Sequence, residues 1–205
     1  MKITVVGAAS GEVTGSAYYV ESPRAAVLVD CGQFQGSRQS DALNRWKPPS
    51  RIKVDAVLIT HGHLDHVGRL PLLVKRGHRM PIYATEATLE MAALILRDSA
   101  RIMAGDTARK NLKLARAGEP PVEPLYTPED AEGAIRLMKP VPYQQEVDIA
   151  PGIRAIWTEA GHMLGSASIK LIVEEDGRQK KVVFSGDLGP KSAPILKTYE
   201  PFHTA

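Results

Sequence analysis

The sequence predicts an α/β sandwich, with two mixed β-sheets packed face to face and helices outside. The order of elements carries the prediction: a run of short strands, then a helical middle, then strands again. Residues 54–60 (Val-Asp-Ala-Val-Leu-Ile-Thr) add a nearly continuous apolar strand, of the kind buried on both faces. The 205 residues suffice for one domain with a sizeable core.

The elements follow in order. Lys2–Gly7 is β-branched and ends in the small-residue loop Gly7-Ala8-Ala9-Ser10-Gly11. Residues 16–20 and 26–30 read as an antiparallel pair around Glu21-Ser22-Pro23-Arg24, and Asp30-Cys31-Gly32 ends the second of them. After the buried strand, residues 67–75 show helical spacing, with Pro71 near enough to the start to be tolerated. Residues 81–84 are a short strand. Glu86–Ala117 is rich in Ala, Leu and Arg and predicts one long helix, or two broken at Gly105. Thr127 is an N-cap, Pro128 follows at the first helical position, and the helix should run to about Met138. Strands are expected at 145–149, 153–159, 168–174 and 181–185, with Glu175-Asp176-Gly177 as a hairpin turn.

Composition excludes several classes. Hydrophobic residues at 43% and charged residues at 24% fit an ordinary globular protein rather than a disordered one. No apolar run approaches the roughly 20 residues that cross a bilayer, and the N-terminus is too short and strand-like for a signal peptide. A cytoplasmic protein without a membrane partner is expected. The single cysteine, Cys31, removes any intrachain disulfide and any Cys-based zinc site, so metal ligands must be His and carboxylates. A net charge of +3 permits a nucleic-acid partner without establishing one. Homo-oligomerisation stays open.

His61-Gly62-His63-Leu64-Asp65-His66 follows the buried strand directly. Imidazole and carboxylate are ligands that zinc accepts. Alternation in the loop points His61 and His63 the same way, and the turn into a helix aims Asp65 and His66 at a second point. One loop can thus serve two adjacent metals. Two further ligands are needed. His162, between Gly161 and Gly165, is one candidate; its glycines allow close backbone approach. Asp187, in Ser185-Gly186-Asp187-Leu188-Gly189, is the other and suits a bridge between cations. Asp30 reads either as a turn carboxylate or as the group that fixes the tautomer of a ligand histidine.

Two metals about 3.5–4 Å apart can share a water and turn it into hydroxide near neutral pH. That hydroxide attacks phosphorus or a carbonyl carbon, so no protein nucleophile is required. Asp65 and Asp187 carry the chemistry through the metals, while Ser16, Ser166 and Cys31 read as structural or substrate-contacting.

The chain also resembles a known family. The carrying segments are Gly7 to Ser16, Leu28 to Gly36, Thr60-His61-Gly62-His63-Leu64-Asp65-His66-Val67-Gly68-Arg69-Leu70-Pro71, Gly161 to Ala167 and Ser185 to Gly189. They resemble the metallo-β-lactamase superfamily, an αββα sandwich, and within it the β-CASP branch of RNA-processing nucleases. The resemblance implies that His61, His63 and His162 hold one zinc, that Asp65 and His66 hold the other, and that Asp187 bridges. Asp30 matches the family's first motif. The implied reaction is cleavage of an RNA phosphodiester by a dizinc-bridged hydroxide. In that family an inserted β-CASP domain follows the Asp187 motif, and the chain then returns with a further zinc-ligating His. Residues 1–190 are therefore expected to be a metallo-β-lactamase domain lacking its C-terminal part, and 191–205 a tail leading toward an absent β-CASP domain. The second zinc site is expected to be under-coordinated, weak or empty, with impaired activity; His203 belongs to the tail.

Two other functions compete. One is a metallo-hydrolase of a small thioester, lactone or β-lactam. The other is a non-catalytic RNA-binding or metal-binding module, against which the intact metal motifs argue. Basic groups at 75–79 and 178–181 read as solvated loop and hairpin, and Arg97, Arg101, Arg109, Lys110, Lys113 and Arg116 as the charged face of a helix. Trp46 and Trp157 read as packing residues.

Overall fold

The computed structural model describes residues 1–8, 13–36, 40–45, 53–192 and 194–202. Trp46, His203 and residues 9–12 of the first loop lie outside the described residues.

Six strands form the first sheet in sequence order: β1 (Lys2–Gly7), β2 (Ala17–Glu21), β3 (Ala26–Val29), β4 (Ala56–Leu58), β5 (Ile82–Ala84) and β6 (Met138–Pro140). β1, β2 and β3 pair antiparallel, and β3 through β6 pair parallel. The central strands are apolar on both faces because both are covered. Val27, Val29, Ala56 and Leu58 face the second sheet, whereas Leu28, Val57 and Ile59 face the helices.

The second sheet has the order β10–β9–β8–β7, from β7 (Val147–Ala150), β8 (Ile153–Glu159), β9 (Ala167–Glu175) and β10 (Arg178–Phe184). It is antiparallel throughout rather than mixed. Its short links decide this, since parallel neighbours need a long crossover. Asp176 (φ 51°) and Gly177 (φ 71°) both take the left-handed conformation of a two-residue hairpin turn. Trp157 lies fully buried between the sheets and donates its indole N–H to the Ile59 carbonyl at 3.1 Å.

The described helices are α1 (Ser40–Asn44), α2 (Leu64–Val67), α3 (Leu70–Lys75), α4 (Glu86–Ala117) and α5 (Pro128–Ile135). α3, α4 and α5 cover the outer face of the first sheet. The single helix expected at 67–75 is instead split into α2 and α3. Pro71 is the reason: within a continuous helix its ring would collide with the Val67 carbonyl four residues back. α4 runs unbroken through Gly105, and its buried residues Thr88, Ala92, Leu96 and Ala100 all lie in its first half. α5 begins at the expected capping box, where Thr127 and Asp130 cap each other's backbone N–H. It stops at Ile135 because Met138 is drawn into a parallel ladder opposite Ile82.

Candidate metal centre

β4 delivers Thr60 and His61 to one edge of the sandwich, and three other loops meet them there. Ala167 donates its N–H to the Thr60 carbonyl at 2.8 Å, which docks the 160–166 loop beside His61. That loop is held from both ends. Thr85 and Thr88, at the start of α4, donate their hydroxyls to the Gly165 carbonyl at 2.6 and 2.8 Å. Ser166 Oγ accepts the N–H groups of His162 and Met163, and Tyr143 donates to the Ser166 carbonyl at 2.9 Å. Gly189 then donates to the Ala160 carbonyl at 2.9 Å, bringing Asp187 against His162.

The α2 turn is gripped by its carbonyls. Ser16, Cys31 and Gln33 donate backbone N–H groups to Asp65, His66 and Leu64 at 2.9, 2.8 and 3.0 Å. Buried Arg69 braces the two gripping loops through the carbonyls of Gly32 and Gly15 and stacks on Phe34 at 4.8 Å.

All six sequence-predicted ligands converge. His61 Nε2 and His162 Nε2 each lie 3.1 Å from His63 Nδ1. Asp187 Oδ2 is 3.8 Å from His61 Nε2 and 3.7 Å from His162 Nε2. The other oxygen of Asp187 lies 3.4 Å from His66 Nε2, which also stands 3.9 Å from an Asp65 oxygen. The structure thus sets out two groups of donors, joined by the two oxygens of one carboxylate.

Asp30 is buried and holds a left-handed backbone (φ 57°), which aspartate tolerates better than most residues. Its carboxylate accepts the Thr60 N–H at 2.9 Å and lies 2.8 Å from His66 Nδ1. Since a carboxylate only accepts, His66 donates from Nδ1, and the neutral ring then presents a bare Nε2 toward Asp187. Burial lowers the His66 pKa, but the hydrogen bond and charge of Asp30, with Asp187 and Asp65, outweigh it and raise the value. Burial depresses His61 to about 2, reinforced by His66, His63 and His162, so its ring is neutral at any ordinary pH. His162 is also lowered, mainly by burial.

This donor set fits a cation. His63 Nδ1 faces two imidazole nitrogens at 3.1 Å yet carries at most one proton. Zn–N bonds of 2.0–2.1 Å in a tetrahedron separate neighbouring donors by about 3.3 Å, close to the spacings of the His61, His63, His162 and Asp187 group. The ligand atoms of those four residues all lie within 4.8 Å of one another. Thr60 escaped the sequence reading, because a threonine ending a β-branched strand carries no signal beyond its place before His61.

The sequence profile of the metallo-β-lactamase superfamily matches residues 10–204. The chain belongs to this superfamily. Its members are metal-dependent, and the cluster of His61, His63, His162 and Asp187 could hold a metal ion. Ribonuclease TTHA0252 of Thermus thermophilus is 37% identical, over 96% of this chain and 40% of the relative. Two archaeal proteins named transcription termination factor FttA are similar as well. That of Cenarchaeum symbiosum is 35% identical over 87% of this chain and 26% of its own length. That of Methanocaldococcus jannaschii is 31% identical over 96% and 28%. The chain therefore spans about two fifths or less of these relatives. A metallo-β-lactamase of Cronobacter sakazakii with a HARLDQ motif shares the fold at TM-score 0.52 and 15% identity, covering 95% of this chain and 62% of that one. Among the described residues, no helix is long and apolar enough to cross a membrane.

Proposed function

We propose that this metallo-β-lactamase chain forms the metal-binding part of a zinc-dependent ribonuclease of the β-CASP type. Asp187 carries the reading, because its two oxygens face two separate donor groups at once. His61, His63 and His162 would hold one ion, Asp65 and His66 a second, and Asp187 both, with Asp30 orienting His66. Divalent cations bound there would lower the pKa of water to about 7 and neutralise charge developing on a phosphate.

The residues of the chain supply position. A cleft of about 510 Å³ opens beside the site, lined by Ser16, Asp30, Asp65, His66, Phe184 and Asp187 among others. It gives a phosphodiester access to Asp65 and Asp187. Buried His61 stays neutral, and the loops braced by Arg69 and Ser166 hold the donors in place without rearrangement. Residues 1–190 are read as the metallo-β-lactamase portion and 191–205 as a segment leading out of it. Relatives named for ribonuclease activity or transcription termination match at 31–37% identity, which favours RNA over small thioesters, lactones or β-lactams. An RNA substrate also suits a cytoplasmic location.

The test is metal analysis of the purified protein, together with cleavage of labelled RNA with and without chelator. Zinc should co-purify, and cleavage should vanish with chelator, with His63→Ala and with Asp187→Asn. Protein that binds no divalent metal, or cleavage that survives chelation, overturns the reading.

A further inference from the structure

We infer that Thr60 is a positioning residue that relays the charge of Asp30 to His61, so that one buried carboxylate orients a histidine in each of the two donor groups. The inference rests on the metal-centre reading above and adds the residue that couples its two halves.

Proton accounting at one oxygen carries the argument. Thr60 Oγ1 lies 2.9 and 3.1 Å from the two oxygens of Asp30. An ionised carboxylate offers no proton, so the single hydroxyl proton of Thr60 goes to Asp30. His61 Nδ1 stands 3.1 Å from the same Oγ1. With that hydroxyl proton committed, the contact is a hydrogen bond only if His61 supplies its own, donating from Nδ1. Its Nε2 is then bare and faces His63 and Asp187. Asp30 imposes the same tautomer on His66 directly, at 2.8 Å. The chain His61–Thr60–Asp30–His66 therefore joins the two donor groups behind the ligands, as Asp187 joins them in front.

Thr60 is fixed for this task. It is 1% exposed. Its N–H is bound to Asp30, and its carbonyl accepts from Ala167. A side chain at Gly186, next to Asp187, would meet Thr60 Cβ at 2.8 Å, so the glycine leaves room for the threonine and strains any replacement at its φ of 56°. These contacts fix both the hydroxyl and the backbone that carries Asp187.

The test compares wild type with Thr60→Val, Thr60→Ser and Asp30→Asn. Long-range proton–nitrogen NMR of metal-free protein reads each histidine tautomer, and competition with a chromophoric chelator reads zinc affinity. In the wild type, His61 and His66 should each carry a proton on Nδ1. Thr60→Val should release His61 from that tautomer, while His66, whose Nδ1 lies 3.4 Å from Thr60 Oγ1 but 2.8 Å from Asp30, should keep its own. Zinc affinity of the His61 group should fall roughly ten- to a hundredfold, the usual cost of losing a group that orients a ligand. Thr60→Ser should restore both, and Asp30→Asn should disturb both histidines. A wild-type His61 protonated on Nε2 overturns the relay, and this reading holds even if Thr60→Val fails to fold. An unchanged tautomer or affinity in folded Thr60→Val also overturns it. Neither measurement uses RNA, so RNA cleavage that survives chelation sinks the nuclease reading alone, and a failed relay leaves that reading standing.

Discussion

Gly32 lies against the backbone of Asp65 so closely that a Cβ there would stand 1.5 Å from the Asp65 carbonyl oxygen. This contact, with the Ser16 N–H on the same oxygen at 2.9 Å, sets the height of the turn that presents Asp65 and His66. Gly32→Ala must push the turn away. Overpacking of this kind costs about 1–3 kcal/mol. The expected outcome is a lower unfolding midpoint, with zinc lost first from the Asp65 and His66 group. Calorimetry paired with zinc stoichiometry checks it; a variant with unchanged stability and metal content would contradict the contact.

Gly105 sits in the middle of α4, and a Cβ there meets nothing nearer than the Arg109 guanidinium at 4.0 Å. Its glycine therefore costs conformational entropy without serving a close approach. Gly105→Ala should stabilise the protein by about 0.5–1 kcal/mol, measured by urea unfolding, and leave zinc affinity unchanged. A destabilised variant would show that the helix needs flexibility at that point.

Glu175 closes the β9–β10 hairpin. Hydrogen bonds from Lys180 and the Met1 ammonium, opposed by burial, bring its pKa from 4.5 to about 2. A depressed carboxylate stabilises the fold fully above its unfolded value and loses that contribution as pH falls. The window is therefore from about 4.5 down to about 2. Glu175→Gln should flatten the fall in stability across this window. Thermal unfolding measured at stepped pH decides, and an identical slope in both proteins would exclude Glu175 as its source.

Cys31 is 5% exposed, and burial pushes its thiol up to about 11 despite the nearby Arg69. Relative to a pKa of 9.0, that leaves roughly a hundredfold less thiolate. The native protein at pH 8 should resist iodoacetamide and react once unfolded. Rapid native labelling would mean that the surrounding loops open.

The sequence made much of this legible because some signals are local. Ile153–Glu159 alternates and appears with those bounds; Asp176-Gly177 can hardly be anything but a tight turn; Thr127 and Asp130 cap one helix between themselves. The site was legible for a different reason, since clustered His and Asp residues have few uses in a buried turn. What stayed hidden depends on partners distant in sequence. β6 is a strand because β5 offers it a ladder. Asn44 of α1 bonds both backbone groups of Phe34, and nothing in its own segment announces that. Thr60 gains its importance from Asp30, thirty positions earlier.

The two sheets also supply different candidate ligands, with consequences for how the chain acquires its fold. His61, His63, Asp65 and His66 follow a strand of one sheet, while His162 and Asp187 arrive on loops of the other. The first sheet alone would leave each donor group incomplete, lacking His162 from one and the shared Asp187 from both. Closing loops of this length carries an entropic cost before any long-range contact forms. On the metal-centre reading, ions held by all six would bind strongly only once the sandwich has shut, so metal capture would mark late assembly.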